Sequence, residues 1–334
     1  MPIPSEVADS QYASSRLITR QLVAQIVSQS HENTVDPDLL KTDKAMVRKK
    51  KLIDQKARIE SLLPSLSQSQ KLLLTTCSEK GASVWLSALP LSDKGFLLSK
   101  QEFHDALCIR YGLPIRRLPS TCICGAAFHV EHALTCLTGG YAIIRHNNIR
   151  DIYGSLAAEI CNDVTIEPLL TPLSGEKFAH KSTTTDDDAR LDVAARGFWR
   201  PGTRAFFDVR VFNPLAPSYR SSSLEAIYKR LEKEKKNKYN ERVLQVERGS
   251  FTPLVFSTLG GCGREADRAT KMLAERISTK QNENYAKTLT MIRTEISFAI
   301  IKAATLCLRG SRSNYSVPAN TIDVSLDMAN AQVK

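Results

Sequence analysis

Ala189-Arg-Leu-Asp192-Val-Ala-Ala-Arg196 and Arg204-Ala-Phe-Phe-Asp208-Val-Arg210-Val-Phe212 are two alternating, apolar-rich runs joined by Gly197-Phe-Trp-Arg-Pro-Gly-Thr203. Alternation over this length, broken by a Gly/Pro linker, predicts a β-hairpin. On the first strand Leu191, Val193 and Ala195 share a face and Asp192 takes the other; on the second, Phe206, Asp208, Arg210 and Phe212 lie together. A turn centred on Arg200 makes paired positions sum to 400, which sets Asp192 opposite Asp208. Like charges about 5 Å apart across a ladder are destabilising, and a divalent cation between them would compensate. Strands this apolar also suggest a sheet covered on both faces.

Working outward, a long basic helix is expected from about Ser222 to Arg248, with Leu224, Tyr228, Leu231, Tyr239 and Val243 on one stripe. Lys235 interrupts that stripe, and a lysine on an inward face calls for an anionic partner. Lys229, Arg230, Lys233, Lys236 and Arg242 form an outer face suited to tracking phosphates, although Glu232, Glu234 and Glu241 are interleaved. Upstream, Ile149, Ile152, Leu156 and Ile160 predict an amphipathic helix ending near Cys161, with Glu159 at the border of the stripe. Further strands are expected at Val164–Glu167 and Phe251–Leu259, and further helices over roughly Glu265–Ser278 and Tyr285–Leu308. A helix carboxylate, two strand aspartates and a lysine make a set suited to Mg2+-assisted phosphodiester hydrolysis.

Three of the eight cysteines fall in Cys122-x-Cys124-x7-His132-x3-Cys136, the ligand set of a four-coordinate structural zinc site, with His129 as a competing fourth ligand. Glycines 125, 139 and 140 permit the tight turns of such a knuckle. The other five, Cys77, Cys108, Cys161, Cys262 and Cys307, stand alone and read as small buried hydrophobes. Towards the N-terminus, Leu17, Leu22, Val23 and Ile26 are spaced for one helix. A second begins near Lys44, carries Val47-Arg-Lys-Lys-Lys-Leu52 and is stopped around Pro64. The 334 residues, 42% apolar and 24% charged, exclude global disorder, and the net charge of +11 makes a polyanion the first partner to consider. The first residues carry no basic segment followed by an apolar run, and Ile296–Leu308 is too short to span a bilayer, so the expectation is a soluble intracellular protein. The segments expected are a helical stretch over 1–75, a helical connector over 76–118, the knuckle over 119–141, the sheet-bearing domain over 142–310 and a loose tail over 311–334.

The residues from about Gly81 to Arg312 resemble the C-terminal region of retroelement open reading frames. The phrases that carry this are Gly81-Ala-Ser-x-Trp-Leu, the knuckle, Arg145-His-Asn-x-Ile-Arg-Asp151, Ala189-Arg-Leu-Asp, Phe206-Phe-Asp-Val-Arg-Val-Phe-Asn-Pro214 and Glu234-Lys-Lys236. More distantly, the knuckle, Arg-His-Asn, the paired aspartates and Lys235-Lys-Asn-Lys238-Tyr239 are similar to the restriction-like endonuclease of site-specific non-LTR retrotransposons. The resemblance implies an α+β, PD-(D/E)XK core: a mixed sheet flanked by helices, with Mg2+ as catalytic ion and Zn2+ in the knuckle. It implies Asp192 and Asp208 as magnesium ligands, Glu159 as the helix carboxylate with Glu167 nearby as an alternative, and Lys235 as the catalytic lysine. Arg145, His146, Lys229, Lys233, Lys236, Lys238 and Arg242 would touch nucleic acid. Two positions depart from the pattern: Leu191 stands where a proline is expected, and Arg210 stands where a lysine is expected. Arginine does not give up its proton, so the lysine role falls to Lys235 or the enzyme is dead. Asp186-Asp187-Asp188 follows Thr185, and no Tyr/Phe-x-Asp-Asp polymerase motif occurs. The expectation is a nuclear DNA endonuclease, with RNA as a second polyanion and a reverse transcriptase of the same element as partner. The alternatives are an inactive nucleic-acid-binding remnant and an adaptor for an acidic protein.

Overall fold

The computed structural model describes residues 37–219 and 221–310. The helix expected around Leu17–Ile26 and the tail beyond 310 lie outside the described residues. The chain divides after Ser67 into two units. In the first, α1 (Pro37–Leu62) is followed by a 3-10 turn, Leu63–Ser65, that holds Pro64 at its second position. A proline has no N–H to continue the ladder, which is why the helix stops there. Lys49, Lys50 and Lys51 lie exposed along α1.

The second unit opens with α2 (Gln68–Cys77), a 3-10 turn at Val84–Leu86 and α3 (Lys100–Tyr111). Helix α3 is bracketed by a Ser99/Glu102 capping box and by Gly112 in the left-handed region, φ 63°. Then come α4 (Val130–Ala133), α5 (Tyr141–Ile160), β1 (Val164–Ile166), β2 (Val193–Arg196) and β3 (Arg204–Phe212). After them follow α6 (Leu224–Gln245), β4 (Ser250–Ser257), α7 (Arg264–Gln281) and α8 (Tyr285–Arg309). The strands form one mixed sheet in the order β1-β2-β3-β4, antiparallel except for the parallel β3/β4 pair. The architecture is therefore α+β, a four-stranded mixed sheet with helices on both faces.

The hairpin has the expected register. Val193 pairs with Phe207 and Arg196 with Arg204, both summing to 400, and the Asp192 N–H donates to the Phe207 carbonyl at 3.0 Å. The first strand is shorter than the expected Ala189–Arg196. Glu167 turns left-handed, φ 51°, ahead of Pro168, so residues 168–170 make only an isolated bridge with 189–191 and the regular ladder starts at Val193.

Alternation then sorts the core. Val193, Ala195, Phe207, Val209, Leu254 and Phe256 point at α5, α7 and α8, where they meet Tyr153, Leu273 and Ile296. Ala194, Phe206 and Phe251 face α6 around Tyr239 and Val243, and Phe212 and Val255 face its other end around Ile227 and Leu231. Each of the valine, leucine and phenylalanine side chains among them, fully buried, contributes about 1.5–3 kcal/mol. A further cluster joins Cys77 of α2, Ile109 of α3, Ala133 and Leu134 of the knuckle and Cys307 and Leu308 of α8. Connector and knuckle thus share a core with the sheet-bearing part. Cys77, Cys108, Cys161 and Cys307 are buried, and Cys262 is partly so. Among the described residues no helix is long and apolar enough to cross a membrane.

Candidate functional site

The knuckle is built from a tight turn and one helical turn. The Cys122 N–H donates to the Ala126 carbonyl and the Gly125 N–H to the Cys122 carbonyl, both at 2.8 Å, with Gly125 at φ 86°. Helix α4 presents His132, and the Cys136 N–H returns to the His132 carbonyl at 2.8 Å. The four donor atoms of Cys122, Cys124, His132 and Cys136 all lie within 4.8 Å of one another. Cys122 Sγ and Cys124 Sγ each stand 3.9 Å from Cys136 Sγ, and Cys124 Sγ stands 3.4 Å from His132 Nε2. A tetrahedral zinc with Zn–S near 2.3 Å and Zn–N near 2.0 Å has edges of about 3.8 Å between sulfurs and about 3.5 Å between sulfur and nitrogen. The cluster has the size of such a site, and four protein ligands leave no open position for chemistry. His129 is excluded from it, stacked on the His132 ring at 6.0 Å.

The second cluster lies where β2 and β3 meet α5 and α6. Asp192 immediately precedes β2. Its Oδ2 accepts from the Val209 N–H, and its Oδ1 is 2.9 Å from His146 Nε2 on α5. Asp208, only 5% exposed, carries its charge against the Lys235 ammonium of α6. The lysine that breaks the apolar stripe therefore has the anionic partner its position demands. It fills the gap between the Phe206/Tyr239 and Phe212/Leu231 parts of the α6 interface. Burial pushes the Asp208 carboxyl above the ordinary range; neighbouring Asp192 pushes the same way, while Lys235 and His146 oppose. Arg210, on the same face of β3, pairs with Glu234 at 2.8 Å. An open cleft of about 710 Å³ lies above, bounded by His146, Arg210 and Lys235 on one side and by Leu134, Thr135 and Leu137 of the knuckle on the other.

Several expected positions fall elsewhere. Glu159 sits in the last turn of α5, where its carboxylate accepts from Gln281 Nε2 at 2.8 Å. Thirteen residues separate it from His146, about 20 Å along the helix, so it does not join the aspartates. Glu167 is ion-paired to Arg150, and its N–H donates to the Asp192 carbonyl. What α5 presents to Asp192 is an imidazole. His146, expected as a nucleic-acid contact, is a partner of the acidic pair; its place beside the buried stripe is one that Glu159 shares, so periodicity alone does not single it out. Arg242 is fully buried and donates to the carbonyls of Thr171, Thr184 and Asp186. It staples the 171–188 loop, so no phosphate reaches it. Arg145 is buried too, donating to the Leu134 carbonyl at 3.0 Å. Lys229, Lys233 and Lys238 are exposed on α6, whereas Lys236 is paired with Glu265.

No protein-family model matches this sequence, and no curated protein matches it.

Proposed function

We propose that the cleft binds a nucleic-acid strand and that the Asp192/Asp208/Lys235 cluster hydrolyses its phosphodiester with a divalent cation. The single observation that carries this reading is the ion pair of Lys235, which lines an open cleft, with a buried aspartate that has a second aspartate as its neighbour. The donor set suits Mg2+, since both groups are hard oxygen ligands. Asp208 Oδ2 is buried and ion-paired with Lys235, and burial, with Asp192 beside it, holds the carboxyl above its ordinary range, a charge that a cation between the two aspartates would stabilise. Asp192 and Asp208 would hold the ion, which when bound supplies Lewis-acid polarisation of phosphate and water. His146 and the Val209 N–H hold Asp192 in one orientation. Lys235 places a cation where charge develops on the phosphoryl oxygens. Arg210 cannot release a proton and so serves to orient, tied to Glu234. The zinc knuckle forms one wall of the cleft and holds it in shape. On this reading the chain is the endonuclease region of a retroelement protein that acts on DNA in the nucleus. A remnant that binds without cutting is favoured instead by Arg210 in the lysine position and by the distance of Glu159 from the pair.

The deciding measurement is conversion of supercoiled plasmid to nicked circle with Mg2+ or Mn2+, against EDTA. Wild-type protein should nick, and Asp208→Asn should abolish nicking while leaving DNA affinity within about threefold, because phosphate contacts are made elsewhere. Binding without nicking by wild type in either metal would establish the remnant.

A further inference from the structure

A second cavity, of about 550 Å³, lies beside the cleft. Its walls are Ile115 and Leu118 of the loop after α3, Phe128 and Val130 of the knuckle, and Leu215. Leu134 and Asn213 line both this cavity and the cleft, so the two adjoin there. Asn213 is 3% exposed, and its amide orientation is fixed: Oδ1 accepts from the Leu215 N–H at 3.1 Å and from the Thr258 hydroxyl at 3.5 Å. The Nδ2 donor is left buried with no acceptor in the protein. An unmet buried donor is costly, and a site that keeps one is suited to a ligand carrying an acceptor.

Resting on the nucleic-acid reading of the cleft, we infer that this cavity takes one unstacked nucleobase of the strand lying there. The volume falls in the range of small-ligand sites. Aliphatic walls and the Phe128 ring suit a flat ring with apolar faces, and the Asn213 amide suits a carbonyl or ring-nitrogen acceptor on its edge. Arg117 and Glu131 both border the cavity, so it offers no net charge to a phosphate and favours a neutral ring. Asn213, the residue after the end of β3, lies five residues beyond Asp208, about 16 Å in extended chain, so the held base belongs to a nucleotide a few positions from the bond being cut. Such a pocket would fix the register of a strand whose other contacts, to phosphates, carry no sequence information.

The experiment compares two single strands of equal length and charge, a thymidine oligomer and a fully abasic oligomer, in calcium so that nothing is cut. The wild type should bind the thymidine strand about tenfold more tightly. Leu113→Trp places a large ring in the mouth of the cavity from a residue that is 53% exposed, so folding is spared. It should erase the tenfold difference and leave abasic binding unchanged. Asn213→Leu should reduce the difference as well. Equal binding of both strands by wild type, or a difference that survives Leu113→Trp, overturns the inference. Free thymidine binding without a difference between strands would make the cavity a nucleoside site and overturn it equally. Failure of both strands to bind strikes the cleft reading itself.

Discussion

Asp208 and Glu79 are both carboxyls that burial raises, and they should be separable by metal. A folded-state pKa above the unfolded one gives stability that is complete below the ordinary carboxylate pKa and is lost as pH rises through the raised value. For Asp208 a bound cation reverses that loss, so Mg2+ should raise the melting temperature more at pH 8 than at pH 5. Asp208→Asn should remove the metal-dependent rise, which thermal melts in Mg2+ and EDTA would read; an equal rise in the variant would place the ion elsewhere. Glu79, pushed up to about 7 by burial and accepting from the Tyr228 hydroxyl at 3.1 Å, lies away from the cleft. It should cost the protein stability between pH 5 and 8 whether or not metal is present. Glu79→Gln should flatten this pH dependence by roughly 2 kcal/mol, taking about 1.4 kcal/mol per pKa unit and allowing for partial exposure. Denaturant titrations at the two pH values would measure it. Lys235→Ala should slow nicking by at least about a hundredfold, with Lys235→Arg rescuing only in part, since a guanidinium keeps its proton.

At the scale of elements, the knuckle is the part whose geometry was most legible from residue spacing. Purified protein should hold about one zinc, and Cys136→Ser or a chelator should release it. The effect should spread beyond 120–140, because Ala133 and Leu134 share a core with Cys77, Ile109 and Leu308. Limited proteolysis of the 112–119 loop with and without chelator would show this, and a cut confined to the knuckle would contradict it. The hairpin register was legible on the condition of a turn symmetric about Arg200 with no bulge, and the pairs Val193/Phe207 to Arg196/Arg204 meet that condition. Lys235 was legible for a related reason: a charge within an apolar stripe must be answered. The part α5 plays was not. Periodicity shows which face of a helix is buried but not which turn meets the sheet, so Glu159 and His146 were equally placed in sequence and differ by about 20 Å in the fold. The places of Arg242 and Arg145 are not legible either, since charge alone does not tell a surface arginine from one that donates to buried carbonyls. Arg242 is instead the internal ligand of a loop without secondary structure, whose backbone carbonyls need donors.

For the whole molecule, the proposed strand binding should weaken steeply with salt, given the +11 charge, but only part of that charge is free to act. Arg242 and Arg145 are buried, and Lys235, Lys236 and Arg210 are engaged by Asp208, Glu265 and Glu234. Lys229 and Lys233 remain exposed on α6. Each phosphate contact contributes about 0.9 to the slope of log K against log salt on duplex DNA. The double variant Lys229→Ala/Lys233→Ala should therefore flatten the slope by about 1.8 if both touch phosphate, and weaken binding at low salt while sparing it at high salt. Arg242→Leu should do something different in kind. It leaves the slope unchanged and destabilises the fold, because three carbonyls of the 171–188 loop lose their donor. Salt titrations of the two variants against wild type, with a melting curve for each, separate a charge that reaches the polyanion from one that holds the protein together. No flattening in the double lysine variant would mean that the strand does not run along the outer face of α6, and a flattened slope in Arg242→Leu would mean that this arginine's charge reaches the polyanion.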